Sequence, residues 1–246
     1  MENQFDPRMT GANTASVGVP TVARDAGLRS YMLSVYNYMA SGVLLTAIVA
    51  LLFAPYARDV LISQTGRGLS GLGWVVTLAP LGFVFALSLG QRRMQVGTMK
   101  IVFFAFAATM GLSMSTLFIA YTGVSIGQTF AAVTASFLGL SLYGYTTKKD
   151  LSGFGTFLIM GVVGLLVAMV INMFLHSAAM QLAISAIGVL LFAGLTAYDT
   201  QKIKSMYAYV AGTDMLGKTA IMGALTLYLD FINMFQFLLS FMGNRR

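Results

Sequence analysis

The chain of 246 residues is 57% hydrophobic and only 9% charged, with a mean hydropathy of +0.79, far from the roughly 25% charged residues of a soluble domain. Cysteine is absent and there is one histidine, His176, which excludes a disulfide framework, a Cys-ligated zinc or iron–sulfur centre and a typical imidazole metal site. The net charge of +7 does not indicate nucleic-acid binding, because the basic residues never form a run of five and basic loops are what the cytoplasmic side of a membrane protein carries.

Residues 1–28 are polar, of mixed charge (Glu2, Asp6, Arg8, Arg24, Asp25), and read as a flexible cytoplasmic tail. No short apolar core follows a compact basic start, so a cleavable signal peptide is not expected. Residues 29–246 read as one transmembrane helical bundle. Apolar runs fall at Tyr31–Phe53, Trp74–Leu89, Ile101–Tyr121, Gln128–Tyr145, Phe154–Leu175 and Met180–Tyr198, with a seventh, more mixed run at Ala220–Met242. A bilayer crossing takes about 20 apolar residues. Lipid offers backbone amides no partner, so each run is expected to be helical, and none alternates in polarity as a barrel strand would. The expected class is an all-α membrane protein, a seven-transmembrane-helix bundle. Pro80 is the one proline that falls within a run, where it predicts a mild kink.

Orientation follows from the lysines and arginines. With a cytoplasmic N-terminus, the tail (Arg8, Arg24, Arg29), second connection (Arg92, Arg93, Lys100), fourth (Lys148, Lys149) and sixth (Lys202, Lys204, Lys218) are inside. The outer connections hold only Arg58 and Arg67, and Arg245 and Arg246 follow the last run. The positive-inside rule therefore puts the N-terminus in the cytoplasm. Those two terminal arginines argue mildly against a complete seventh crossing.

Three motifs carry no function in this setting. Gly66–Gly71 matches G-x-G-x-x-G but lies in an outer connection, without the strand–helix context a dinucleotide site needs. Gly123–Gly127 matches G-x-x-x-G in what reads as a helix connection, hence a tight turn. His176 reads as a solvated loop residue.

Of the eight acidic residues, Glu2, Asp6, Asp25, Asp59, Asp150 and Asp214 lie in the tail or connections. Asp199 ends the sixth run and Asp230 sits in the middle of the seventh. A carboxylate at the bilayer centre costs about 2.5–3.5 kcal/mol on insertion scales and normally faces a bundle interior or a pathway. Thr219, Gly223, Thr226, Asp230, Asn233, Phe237 and Ser240 recur at spacings of four and three, one helical face that is small or polar except at Phe237. Thr226 and Asn233 flank Asp230 on it and are pore-lining candidates. The midpoint between Asp199 and Asp230 falls beside Gly212-Thr213-Asp214. A helical hairpin turning there brings the two carboxylates level, whereas hydropathy alone leaves Asp230 up to about 15 Å deeper. We adopt the hairpin, since a buried helix need not obey a lipid-facing boundary.

At these residues the chain resembles the Bax inhibitor-1 family, the transmembrane Bax inhibitor motif proteins, in its bacterial branch. The segments are GLTAYDTQKIK at 194–204, ALTLYLDFINMF at 224–235 and LYGYTTKKDLSG at 142–153, and the likeness covers about 29–246. The resemblance implies a seven-helix bundle with the C-terminal helix central, placed as a multi-pass protein of the bacterial inner membrane. It also implies a pH-sensitive calcium leak governed by an aspartate pair, matching Asp199 and Asp230 as pH-sensing and Ca²⁺-binding residues. Some members latch that pair with an arginine at the end of the second helix. Here the stretch is Gln91-Arg92-Arg93. Alignment on Val96-Gly97 puts Gln91 at that position, and Arg92 and Arg93 are the candidate latch residues.

The function expected is a cation leak with no tightly bound cofactor and no enzymatic activity, its partners being the lipid bilayer, Ca²⁺ and protons. A non-transporting regulator of other membrane proteins, such as an AAA protease, is the alternative. An aspartyl intramembrane protease fits Tyr198-Asp199 but not Leu227-Tyr228-Leu229-Asp230, which lacks the glycines of that motif.

Overall fold

A computed structural model describes residues 21–63 and 68–245, with the side chains of 21–24 outside that description. Eight helices follow in order: α1 (Thr21–Leu61), α2 (Gly71–Gly90), α3 (Val96–Met114), α4 (Leu117–Ala120), α5 (Gly123–Thr146), α6 (Ser152–Leu175), α7 (Ala178–Val210) and α8 (Met215–Met242). The short α4 continues α3, so seven helical spans are long and apolar enough to cross a membrane. Among the described residues no strand forms, only the isolated antiparallel bridges Ile62–Leu69 and Tyr121–Arg245.

Local chemistry sets the helix ends. The hydroxyls of Ser70, Thr122 and Ser177 accept from the backbone N–H of Gly73, Ser125 and Met180 and cap α2, α5 and α7, satisfying amides that the first turn leaves free. Between α7 and α8 the chain reverses over 211–214, with Gly212 in the left-handed region at φ +75°, a conformation glycine adopts without a Cβ penalty. His176 ends α6 at φ +50° and is exposed, in the connection where the sequence placed it.

Three expectations need correction. Helix α1 starts at Thr21, within the segment read as tail, because helical backbone does not stop where lipid-compatible residues do; residues 1–20 lie outside the described residues. Pro55 as well as Pro80 sits inside a spanning helix, since α1 continues through it to Leu61; membrane bundles tolerate such prolines by re-satisfying the freed backbone groups. Gly123–Gly127 is the first turn of α5 rather than a connection, because the Thr122 cap starts the helix there.

The helix most enclosed by the others is α8. In its most apolar window 61% of residues are buried, against 17–33% in the other six spans. It packs on α7, α1, α5 and α3, and Tyr228, Leu227 and Ile221 are completely inaccessible. Helix α6 rests on α7 and leaves Phe157, Met160, Val163 and Val170 exposed, as a lipid-facing surface requires. The C-terminal residues run beside the connection between α4 and α5: Thr122 N–H donates to Asn244 O, and Asn244 N–H to Ser125 Oγ. Helix α8 therefore runs the full length of the bundle, and is long and apolar enough to cross a membrane, despite the two terminal arginines.

Candidate functional site

The α7–α8 hairpin sets the site. Antiparallel helices with a reversal at 211–214 place residues at matching distances from the turn side by side. Ile203 lies against Gly223 and Phe192 stacks on Phe237. Ser185 Oγ donates to Ser240 Oγ at 3.1 Å. Asp199 and Asp230 occupy one level of this ladder, where each carboxyl group acts on the other. The hairpin reading of the sequence is therefore the right one, and the 15 Å offset that hydropathy suggested is not present.

The two carboxyls differ in surroundings. Asp230 is 4% exposed. Its buried Oδ2 has no hydrogen-bond partner among the described residues. Asp199 is half-buried, with Lys202 three residues on as the cation acting on it. Next to Asp199, the buried Thr200 hydroxyl is 3.0 Å from Ser141 Oγ, which accepts from Tyr36 Oη at 3.3 Å. This chain joins α7 to α5 and α1 beside the carboxyl pair. Sequence reasoning missed it, although Ser141 and Thr200 are hydroxyls inside otherwise apolar surroundings, and that is the signal that marks them.

The remaining candidates are not gathered at the pair. Arg92 and Arg93 are exposed in the turn after α2, and neither forms an ion pair with Asp199 or Asp230 among the described residues. Gln91 Nε2 donates to Ser88 O in the same turn. Thr226 and Asn233 are half-buried one turn to either side of Asp230. Both direct their donors into their own helix, Thr226 Oγ1 to Met222 O at 3.1 Å and Asn233 Nδ2 to Leu229 O at 2.8 Å.

No cluster of three or more His, Cys, Asp or Glu side chains occurs among the described residues. Ca²⁺ takes about six to eight oxygen ligands. Two carboxyl groups supply at most four, so the pair alone does not complete such a shell.

A buried carboxyl pair at the hairpin of a seven-span helical bundle defines a polytopic membrane protein with a titratable centre inside its helices. The chain belongs to the Bax inhibitor-1 family: the family model described as "Inhibitor of apoptosis-promoting Bax1" matches residues 28–246. It is 47% identical to a protein of Rickettsia prowazekii over 90% of this chain and 92% of that one. It is 46% identical to the inner membrane protein YbhL of Escherichia coli K12, over 90% of this chain and 94% of that one. A Caulobacter vibrioides protein is 44% identical, over 90% and 91% of the two chains.

Proposed function

We propose that the protein is a pH-sensitive cation leak of the bacterial inner membrane, oriented with its N-terminus in the cytoplasm, in which Asp199 and Asp230 are both the proton sensor and the cation-contacting groups. The juxtaposition of these two carboxyls at one level of the α7–α8 hairpin, one of them almost wholly buried, is the observation that carries the reading. With one proton between them the pair is compact and holds α7 against α8. Loss of that proton leaves two negative charges that, at about 4 Å, repel by about 4 kcal/mol at an effective dielectric constant of 20. A divalent cation relieves this repulsion, and carboxylate oxygens are hard ligands that suit Ca²⁺. Proton and cation thus compete for the same atoms, and flux rises as the proton is lost. No catalytic step, prosthetic group or resident metal enters this mechanism.

Purified protein in liposomes loaded with a Ca²⁺ indicator, scanned across pH, tests it. The expected result is a leak that grows with pH and disappears in the Asp199→Asn/Asp230→Asn double variant. Wild-type protein with no flux at any pH overturns the reading and leaves a non-transporting regulator of other membrane proteins as the role to pursue.

A further inference from the structure

One aromatic residue on each arm of the hairpin mirrors the carboxyl pair. Phe192 precedes Asp199 by seven residues and Phe237 follows Asp230 by seven, two helical turns, or about 10 Å, farther from the 211–214 turn. Their rings stack at 5.8 Å between centroids and 23° between planes. Phe237 is also the one large side chain in the otherwise small and polar stripe of α8. Its ring lies over Gly188, where a Cβ would approach Cγ of Phe237 to 2.5 Å. On α7 the buried Thr196 hydroxyl, which donates to Phe192 O, lies between the two levels.

Beyond the stack lies a cavity of about 240 Å³ between α6, α7 and α8, with Phe192 and Phe237 in its wall. Its α6 side is apolar, formed by Val162, Leu165, Leu166 and Met169, and α7 and α8 contribute Gln181, Asn233, Gln236 and Ser240. Gln181 Nε2 donates to Ser240 Oγ at 3.2 Å, and Asn172 Nδ2 of α6 to Gln181 Oε1 at 3.2 Å. These amides and hydroxyls carry no charge, yet they offer oxygens to a hydrated cation. From the turn outward, the seam therefore reads carboxyl pair, Thr196, aromatic stack, and a cavity that is polar on its α7–α8 wall and apolar on its α6 wall.

We infer that the cavity is the outer vestibule of the leak and that the Phe192–Phe237 stack is the apolar barrier closing it off from the Asp199–Asp230 pair, a role that rests on the cation-leak reading. An aromatic constriction excludes water and therefore a hydrated ion, and it opens when one ring leaves the axis. Gly188 is what allows the ring of Phe237 to seat: a side chain there meets the ring at its root. A narrow apolar level between two polar ones is what a leak needs if the carboxyl pair, and not simple porosity, is to govern it.

The native chain has no cysteine, so one introduced thiol reports alone. Ser240→Cys in the vestibule and Thr196→Cys below the barrier are exposed, in proteoliposomes, to a membrane-impermeant cationic methanethiosulfonate reagent on the vestibule side. Ser240→Cys is expected to react and Thr196→Cys to stay unmodified. Combined with Phe237→Ala, Thr196→Cys is expected to react at least about tenfold faster, as removal of an apolar constriction should admit water. This readout does not require flux. In the Ca²⁺ assay, Phe237→Ala and Gly188→Ala should each raise the leak at low pH severalfold, and Asp230→Asn should still suppress it. Thr196→Cys remaining unreactive with Phe237→Ala, or reacting equally fast with Phe237 in place, overturns the barrier. A wild type without flux but with this accessibility pattern overturns the leak alone.

Discussion

The hydroxyls of Thr46 and Tyr228 lie 2.6 Å apart in the interior, tying α1 to α8. Thr46 Oγ1 donates to Ala107 O on α3 at 2.8 Å, so the Tyr228 O–H is the donor to Thr46. Three helices thus meet through one threonine and one tyrosine two residues before Asp230. The Tyr228 ring is inaccessible and packs edge-on against Phe106 and Phe103, with centroids 5.0 and 6.2 Å away.

Tyr228→Phe should be mild. It removes one donor while Thr46 keeps its bond to Ala107, a loss of about 1 kcal/mol. Tyr228→Ala opens a cavity between α8, α1 and α3 and should destabilise by about 3–5 kcal/mol. Thermal unfolding in detergent ranks the two. Equal losses would mean that the hydroxyl, not the ring, holds α8 in place.

Gly144 of α5 meets the backbone of Ala197, two residues before Asp199. A Cβ at position 144 would lie 2.2 Å from Ala197 O, whereas one at Gly139 meets nothing within 4 Å. Backbone does not yield as a side chain does, so Gly144→Ala should push α5 from α7 and destabilise by about 1–3 kcal/mol. Gly139→Ala should leave the melting temperature close to that of the wild type. Similar shifts in both would remove the close-approach argument.

How far the sequence discloses this molecule depends on which force sets each feature. The spans were legible because lipid demands long apolar runs, and the Asp199–Asp230 contact because a hairpin fixes the register of its arms around Gly212. Helix ends inside or beyond the runs were not: α1 from Thr21, Pro55 within it, and α7 continuing to Val210 follow packing and backbone hydrogen bonding, to which hydropathy is blind. Phe237 stood out in a polar stripe. Its partner Phe192 is hidden in an apolar run where one more phenylalanine carries no signal. Arg92 and Arg93 are near the right helix end in sequence, but an exposed turn does not direct a side chain inward.

Outside the membrane, Asp150 provides a pH-dependent contribution whose sign can be worked out. The Ser152 hydroxyl, and then the Ser152 N–H at 2.9 Å from Oδ1, hold its carboxyl below the ordinary value. A folded-state value lower than the unfolded one stabilises the fold above the unfolded value, and the contribution fades as pH falls through the folded one. The group is fully exposed, so the effect is local to the start of α6. Asp150→Asn should lower the melting temperature slightly at neutral pH, and this difference should close at acid pH. A difference independent of pH would show that the charge is not involved.

Orientation can be read with tags. Arg92, Arg93, Lys148, Lys149, Lys202 and Lys204 gather at the end of the bundle shared with the 211–214 turn. Arg245 pairs with Tyr121 at the opposite end. With the basic end in the cytoplasm, tags at 146–153 and on the N-terminal segment should be protected in intact spheroplasts. Tags at 60–70 and on the C-terminus should be accessible together. Protection of the C-terminal tag with exposure at 60–70 would contradict the complete crossing of α8.

The two aspartates are not equivalent, and single substitutions should reveal it. Asp230 is buried, with Asp199 as the partner of its carboxyl, whereas Asp199 is half-buried and lies within the field of Lys202. Asn at either position removes the repulsion between the two charges, so the remaining carboxyl titrates alone and the pH profile of the leak flattens or moves. Asp230→Asn takes away the deeper oxygens, which no neighbouring donor set replaces. It should reduce Ca²⁺ flux by about tenfold or more, the scale of one lost charge-assisted contact of about 1.5–3 kcal/mol. Asp199→Asn should reduce flux less, because water at the half-buried position can substitute for a lost oxygen. Flux measured across pH for both variants, alongside their melting temperatures, decides the matter. A larger loss in Asp199→Asn than in Asp230→Asn, with both proteins folded, would place the cation contact at the half-buried end of the pair and reverse the order argued here.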